Sequence, residues 1–217
     1  MNRDLFDDTQ ALEPWQQPMA PGAVLLHGFA RAHAAALLVA VQEVVEQAPL
    51  RHMVTPGGLR MSVAMTNCGP LGWVSDRAGY RYDGVDPQSG LPWPTMPALF
   101  TALAAHAAEQ AGFRHFAPDA CLVNCYEPGT RLSLHQDKDE RDFGAPIVSV
   151  SLGLPAVFLF GGMSRADQAQ RFPLAHGDVV VWGGPSRLRY HGVLPLKPGH
   201  HVLLGEQRIN LTFRKAA

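Results

Sequence analysis

The chain has 217 residues, 47% of them hydrophobic, with a formal net charge of -1 and a pI near 6.8. This length and composition suit one globular core. The near-neutral charge excludes a protein that binds nucleic acid through a broad basic surface, so any such contact must be local. Ten histidines against three cysteines favour a metal site with nitrogen and oxygen ligands over a thiolate site.

The first part of the chain predicts an arm followed by a helix. Residues 1–22 are polar and contain proline, which indicates a segment lying over the surface, and they lack an apolar signal or membrane-spanning stretch. Residues 30–47 are rich in Ala, Leu and Val and predict a helix that Pro49 stops. The three cysteines are typical of free, buried thiols in a reducing compartment. Together with the lack of a membrane-spanning apolar run, they lead us to expect a cytoplasmic protein without membrane contact.

The middle of the chain is rich in turns and aromatic residues, whereas its end consists of short β-runs. Residues 50–94 combine many turns with several aromatic side chains and are too long for an ordinary connection, which predicts a lid subdomain. Residues 95–112 predict a second helix with Gly112 as its C-cap residue. Short β-runs after residue 117 predict a jelly roll or other double sheet, with the helices packed outside it. The fold class is therefore α+β with a β core.

We accordingly predict a single domain, residues 1–217, built from four parts. These are the arm and first helix (1–49), the lid (50–94), the supporting helix (95–116) and the β core (117–217).

Residues 131–137 (RLSLHQD) read as a strand with a charged end. Period-2 alternation places His135 and Asp137 on the same side of it. An imidazole and a carboxylate so placed can bind one metal ion, and a histidine from a distant strand would complete the 2-His-1-carboxylate triad typical of Fe(II) oxygenases. His191, which follows the later run RLRYHGV, is the candidate for that third ligand. A solvated surface cluster is the alternative interpretation of LHQDKDE.

Two other strand-like runs, residues 208–214 (RINLTFR) and 121–126 (CLVNCY), place mostly polar side chains on one face and apolar ones on the other. The side chains expected to face the interior site are Arg208, Asn210, Thr212, Arg214, Leu122, Asn124 and Tyr126. A buried guanidinium without an anion is costly. Two inward arginines therefore predict a dianionic ligand.

These motifs, with EPWQQP, MVTPGG, MSVAMTNCGPLGW, LPWP, PIVSVSLGLPA, HGDVVVWGG, SRLRYHG and NLTFR, resemble the AlkB family of Fe(II)- and 2-oxoglutarate-dependent dioxygenases over most of the chain. The resemblance implies a double-stranded β-helix (jelly roll) with a nucleotide-recognition lid, and Fe(2+), 2-oxoglutarate and O2 as cofactor and cosubstrates. The implied activity is oxidative demethylation of N-alkylated bases such as N1-methyladenine and N3-methylcytosine, releasing formaldehyde and succinate. Alkylated single- or double-stranded DNA is the implied partner, with RNA as a further substrate, and we expect a monomer.

The resemblance also implies a role for each matching residue. The iron ligands and catalytic centre would be His135, Asp137 and His191. Arg208 would hold the 1-carboxylate side of 2-oxoglutarate, while Arg214 would pair with its distal carboxylate. The remaining contacts to 2-oxoglutarate would be Asn124, Tyr126, Leu132 and Asn210. Contacts to the alkylated base and its nucleic acid would be Trp73, Tyr80, Met65, Asp139, Arg165, Thr55 and Met61.

The sequence departs from the family pattern at two positions. Leu59 stands where an aromatic side chain is expected in the lid, and Cys125 stands where a basic residue often separates the Asn and the Tyr. Two other functions remain open on the residues alone. One is an oxygenase of the same chemistry acting on a protein or small molecule, against which the aromatic lid argues. The other is a non-catalytic, cupin-like binding module, against which the paired arginines argue.

Overall fold

The computed structural model describes residues 15–217, and within that range it contains two helices and thirteen strands. The helices are α1 (Ala34–Gln47) and α2 (Ala98–Gln110). The strands are β1 (Trp15–Ala20), β2 (Ala23–His27), β3 (Ala64–Cys68), β4 (Gly72–Asp76), β5 (Gly79–Asp83), β6 (Ala120–Tyr126), β7 (Leu132–His135), β8 (Ile147–Gly153), β9 (Ala156–Phe160), β10 (Gln170–Leu174), β11 (Val179–Trp182), β12 (His191–Val193) and β13 (Arg208–Arg214).

Two antiparallel sheets form the core. The larger has seven strands in the order β1-β2-β11-β8-β13-β6-β3, and the smaller has four in the order β10-β9-β12-β7. Strands β4 and β5 form a separate hairpin, the lid hairpin. Both helices pack on the seven-stranded sheet. The predicted α+β jelly roll with outer helices is confirmed.

Strand β13 shows how the sequence pattern creates two different faces. Ile209, Leu211 and Phe213 are buried in the cluster that includes the helices, and Phe213 meets Phe100 of α2 edge to face at 5.9 Å. The alternate residues of β13 point into the space between the two sheets. Because side chains alternate along a strand, one segment supplies both core packing and the floor of a site. The predicted faces of residues 208–214 and 121–126 are confirmed.

The helices begin and end close to the predicted positions. A 3-10 turn at Arg31–His33 precedes α1, and α1 ends at Gln47, two residues before Pro49. After α2, Gly112 has φ +86, its N–H donates to Glu109 O at 2.9 Å, and Phe113 N–H donates to Ala108 O at 2.8 Å. This pair of bonds is the Schellman pattern that favours glycine at this position. The predicted cap is confirmed.

The N-terminal segment differs from the predicted arm. Residues 1–14 lie outside the described residues, but Trp15–Ala20 is an edge strand paired with β2 rather than an arm over the surface. The register shifts between Pro18 and Ala20. Proline removes a backbone donor and is tolerated at a sheet edge, so its presence did not exclude a strand here.

The predicted lid, residues 50–94, is only partly separate from the core. Its strand β3 pairs with β6 and becomes the outer strand of the seven-stranded sheet. Its other two strands form the lid hairpin. Searched over residues 15–217, the chain contains no helix long and apolar enough to cross a membrane.

Candidate active site

A cavity of about 620 Å³ opens between the two sheets and the lid hairpin. Every residue predicted to bind metal, 2-oxoglutarate or substrate lines it, including residues more than 150 positions apart in the chain. Leu59 also lies on its wall, with 73% of its surface exposed. The sequence patterns thus converge on one space, even though the strand order that brings them together was not predicted.

His135 and His191 are cross-strand neighbours. Strands β7 and β12 are antiparallel with His135 opposite His191, and the two rings lie 4.3 Å apart between centroids. Each Nδ1 lies beside a backbone carbonyl, that of Ser133 at 2.9 Å and that of Arg189 at 3.0 Å. A carbonyl only accepts hydrogen bonds, so each Nδ1 must carry the proton and each Nε2 keeps its lone pair. Both histidines therefore present an Nε2 lone pair that is available to a metal ion.

Asp137 lies beyond the end of β7, which stops at His135. The expected strand through residues 131–137 is thus shorter in the structure, yet the carboxylate still reaches the two imidazoles. Asp137 Oδ1 is 3.5 Å from His135 Nε2, and Oδ2 is 3.8 Å from His191 Nε2. All three ligand atoms lie within 4.8 Å of one another.

Charges around Asp137 favour its ionised form. Arg214 donates to Asp137 Oδ2 from Nε at 2.8 Å and approaches it with Nη2 at 2.6 Å. Burial alone would raise the pKa of Asp137, but the neighbouring Arg214 guanidinium outweighs burial and holds the pKa of Asp137 well below its usual range. Burial, together with His135, lowers the pKa of His191 to about 3. A carboxylate and a neutral imidazole are the forms that bind a metal ion.

Arg208 has a different environment at the other end of β13. It is 1% exposed, its guanidinium lies 4.9 Å from the centroid of the Tyr126 ring, and Nη2 donates to Ser151 Oγ at 3.0 Å. Its Nε and Nη1 have no hydrogen-bond partner, and no carboxylate of the described chain forms an ion pair with it. Such a buried cation is costly without an anion. Two free donors therefore fit a carboxylate entering the cavity.

The lid hairpin places two aromatic rings on the cavity wall. Trp73 and Tyr80 are nearly parallel, at 13°, with centroids 5.7 Å apart. Trp73 Nε1 donates to Asp139 Oδ2 at 2.8 Å. The remaining predicted substrate residues, Thr55, Met61, Met65 and Arg165, line the same cavity.

Three residues in or next to the site were not predicted: Glu140 and Arg187, which are buried, and Tyr82, which is half-buried. Glu140 contacts both Arg214 and Arg187 and accepts a hydrogen bond from Tyr82 of the lid hairpin. Arg187 in turn donates to the backbone oxygen of Asp137 at 2.8 Å. Glu140 ends the motif LHQDKDE, and Tyr82 shares a strand face with Tyr80. Those two signals were present in the sequence, but nothing in it indicated that these residues meet.

The donor set fits iron and 2-oxoglutarate. Metal–ligand bonds of about 2.1 Å place neighbouring donors of an octahedron about 3 Å apart, so small side-chain movements would bring His135, Asp137 and His191 onto one ion. Two imidazoles and one carboxylate leave other coordination positions open, as Fe(II) oxygenases require. The free donors of Arg208 fit the second end of a dicarboxylate.

Comparison with known proteins agrees with this geometry. The family model for the 2OG-Fe(II) oxygenase superfamily matches residues 22–214. The "Alpha-ketoglutarate-dependent dioxygenase AlkB" of Salmonella typhimurium is 59% identical over 214 residues, which are 99% of this chain and 98% of that protein. The AlkB protein of Escherichia coli is 59% identical over 98% of this chain and 97% of its own length. The solved structure of OsALKBH1 superposes with a TM-score of 0.81 at 30% identity and covers 93% of this chain and 100% of that one.

Proposed function

The chain belongs to the AlkB family of 2-oxoglutarate- and Fe(II)-dependent dioxygenases, and from that membership we propose which of its residues carry each step. The protein is an oxidative demethylase of alkylated nucleic-acid bases that uses Fe(II), 2-oxoglutarate and O2. When bound, the iron with its cosubstrates supplies the oxidant that hydroxylates the N-methyl carbon, which leaves as formaldehyde while 2-oxoglutarate becomes succinate. The observation that carries the proposal is that the His135–Asp137–His191 cluster lines the same cavity as a buried guanidinium, that of Arg208, which has no acid partner among the described residues.

His135, Asp137 and His191 would hold the iron. Their imidazoles are preset by backbone carbonyls, and the Asp137 carboxylate is kept ionised by Arg214. Bonds that orient a ligand in this way raise metal affinity because less adjustment is needed on binding.

The two arginines would hold opposite ends of 2-oxoglutarate, in the reverse order to that implied by the resemblance. Arg214 touches the metal ligand Asp137, so it lies where the 1-carboxylate next to the iron would be. Arg208 lies at the other end of the seven-residue strand β13, beside Tyr126, and has free donors for the distal carboxylate. We therefore assign the 1-carboxylate to Arg214 and the distal carboxylate to Arg208, supported by Asn124, Tyr126, Leu132 and Asn210 around them.

The alkylated base would stack on Trp73. Two stacking contacts of about 3.5 Å need about 7 Å between the outer rings, so the 5.7 Å gap between Trp73 and Tyr80 is too small for a base. The base would instead lie on the face of Trp73 away from Tyr80, in the cavity that His135 also lines, with Tyr80 supporting Trp73 from behind. N1-methyladenine and N3-methylcytosine are cationic, and an aromatic face with the adjacent Asp139 carboxylate stabilises a cation. Methylation also blocks base pairing, which lowers the cost of flipping the base out.

Substitution of Trp73 tests the base site. Because stacking of a base on an aromatic ring contributes about 1–3 kcal/mol, Trp73→Ala should weaken binding of a methylated oligonucleotide about 10-fold or more. Trp73→Phe, which keeps an aromatic ring but loses the donor to Asp139, should lose less of the affinity for the methylated oligonucleotide than Trp73→Ala does. The measurement is fluorescence anisotropy of a labelled single strand carrying one N1-methyladenine. Equal affinity of wild type and Trp73→Ala would remove Trp73 from the site.

The activity is tested by product release. Methylated DNA and RNA oligonucleotides, their unmethylated counterparts and a methylated-lysine peptide are incubated with the enzyme, Fe(II), 2-oxoglutarate and O2. Formaldehyde should form in equal amount to succinate with the methylated nucleic acids and not with the peptide. Formaldehyde from the peptide alone would favour the protein-directed alternative.

We also propose that the chain acts as one catalytic domain and as a monomer, since the lid hairpin and both sheets line the same cavity. Sedimentation of the protein with and without oligonucleotide tests this. Its three cysteines are buried and free, which suits a reducing compartment, and we propose the cytoplasm.

A further inference from the structure

The lid hairpin is connected to the metal ligand Asp137 by a chain of polar contacts. Tyr82 of β5 donates its hydroxyl hydrogen to Glu140 Oε1 at 2.8 Å. The same oxygen lies 3.4 Å from Arg214 Nε, and Arg214 donates to Asp137. Burial raises the pKa of Tyr82 well above its usual value, so its hydroxyl stays protonated and remains a donor. Four side chains therefore join the wall of the base site to the iron ligands.

Glu140 is fixed at the centre of this chain. Its side chain is 1% exposed, and its second oxygen faces Arg187 Nη2 at 3.1 Å, an ion-pair contact without hydrogen-bond geometry. Arg187 is itself held by the backbone oxygens of Asp137 and Ala145. A buried carboxylate persists only when its charge is compensated, and here Arg187 and Arg214 compensate it from two sides. Glu140 therefore has little freedom to move independently of Arg214.

Two side-chain hydrogen bonds attach the lid hairpin to the loop that carries Asp137. In the β4–β5 register Trp73 is directly opposite Tyr82, so the base-stacking ring and the anchoring hydroxyl are cross-strand neighbours on one face. Trp73 is bonded to Asp139 and Tyr82 to Glu140, two positions in the loop that also carries Asp137. A two-stranded hairpin is marginally stable alone, so these two bonds help to set its position over the site.

We propose that Tyr82 and Glu140 are positioning residues that couple the seating of the alkylated base on the lid hairpin to the seating of 2-oxoglutarate beside Arg214. The inference rests on the proposed function. Arg214 shares its donors between Asp137, Glu140 and the entering 1-carboxylate, so the position of Glu140 affects how Arg214 is directed. A base on Trp73 fixes the hairpin, the hairpin fixes Tyr82, and Tyr82 fixes Glu140. Coupling of this kind is reciprocal, so each ligand should tighten the binding of the other by the same factor.

The test measures that factor without turnover. Affinity for a single strand carrying N1-methyladenine is determined with and without 2-oxoglutarate, with Mn(II) in place of iron and under nitrogen. In the wild type, 2-oxoglutarate should tighten binding of the oligonucleotide about 5-fold or more. In Tyr82→Phe, which removes one hydroxyl, the factor should fall to near one, whatever the affinity of the variant for each ligand alone.

Matched variants separate coupling from a structural effect. Tyr190→Phe removes a tyrosine hydroxyl from the same cavity that has no hydrogen-bond partner among the described side chains, and it should keep the wild-type factor. The factor by which 2-oxoglutarate tightens oligonucleotide binding should be no smaller in the double variant Tyr82→Phe/Glu140→Gln than in Glu140→Gln alone. An unchanged factor in Tyr82→Phe, or a wild-type factor of one, would overturn the proposal. Wild-type binding that does not distinguish methylated from unmethylated strands would instead refute the base site itself, and the coupling with it.

Discussion

Replacing His135 with alanine should abolish Fe(II) binding and turnover while the protein stays folded. The substitution removes one of the three proposed metal donors, and loss of an outer partner alone commonly costs 10- to 100-fold in metal affinity, so activity should fall by at least about 100-fold. The side chain is 31% exposed and makes a single hydrogen bond, to Ser133 O. Little packing is therefore lost. Anaerobic Fe(II) titration and the midpoint of urea unfolding measure the two effects separately.

His33→Ala is the matched control for that experiment. His33 precedes α1, is exposed and makes no capping hydrogen bond, so its loss should leave iron affinity unchanged. His135 is also a cleaner test than Asp137, because removing Asp137 would leave the Arg214 guanidinium buried with Glu140 as its remaining acid partner. Wild-type iron affinity in His135→Ala would end the ligand assignment.

Replacing Arg208 with glutamine should raise the half-saturating concentration of 2-oxoglutarate by at least about 100-fold. The variant removes two charge-assisted hydrogen bonds to a carboxylate, each contributing about 1.5–3 kcal/mol, and 1.4 kcal/mol corresponds to a factor of about ten. Binding is measured under nitrogen with Mn(II), which separates affinity from chemistry. Arg165→Gln, at the exposed rim of the cavity, is the control and should bind 2-oxoglutarate as the wild type does.

A shortened ligand decides which carboxylate each arginine holds. 2-Oxobutyrate keeps the 2-oxo acid end but lacks the distal carboxylate. Arg208→Gln should therefore bind 2-oxobutyrate about as weakly as the wild type does. Arg214→Gln should have a lower affinity for both 2-oxobutyrate and 2-oxoglutarate. If Arg208→Gln weakens 2-oxobutyrate as strongly as 2-oxoglutarate, the assignment of the two ends must be exchanged.

The sequence predicted those parts of the site that depend on a single strand. Alternation along residues 208–214 is a local property of the backbone, so the inward direction of Arg208 and Arg214 was predictable. From the residues alone, His191 was only a candidate partner of His135. Their pairing depends on β12 lying beside β7, which the sequence does not show. The roles of the two arginines were not predictable by alternation, since both share one face. Only their separation from Asp137 distinguishes them.

The features that the sequence did not predict depend on which strands become neighbours. The contact between Tyr82 and Glu140 joins residues 58 positions apart, from a hairpin and a loop that have no common pattern. Likewise, the pairing of Trp15–Ala20 with β2 was hidden by proline and polar residues, which are acceptable at a sheet edge because one side of the strand faces solvent.

The orientation of His135 and His191 by main-chain oxygens has a consequence for tolerance to mutation. The acceptors belong to Ser133 and Arg189, each two residues before the histidine it orients. Any amino acid at those two places still provides a carbonyl group, so the ring tautomers depend on the backbone and not on the side chains of residues 133 and 189. Substitutions at positions 133 and 189 should therefore leave the orientation of the two histidine rings unchanged, as long as the backbone keeps its conformation.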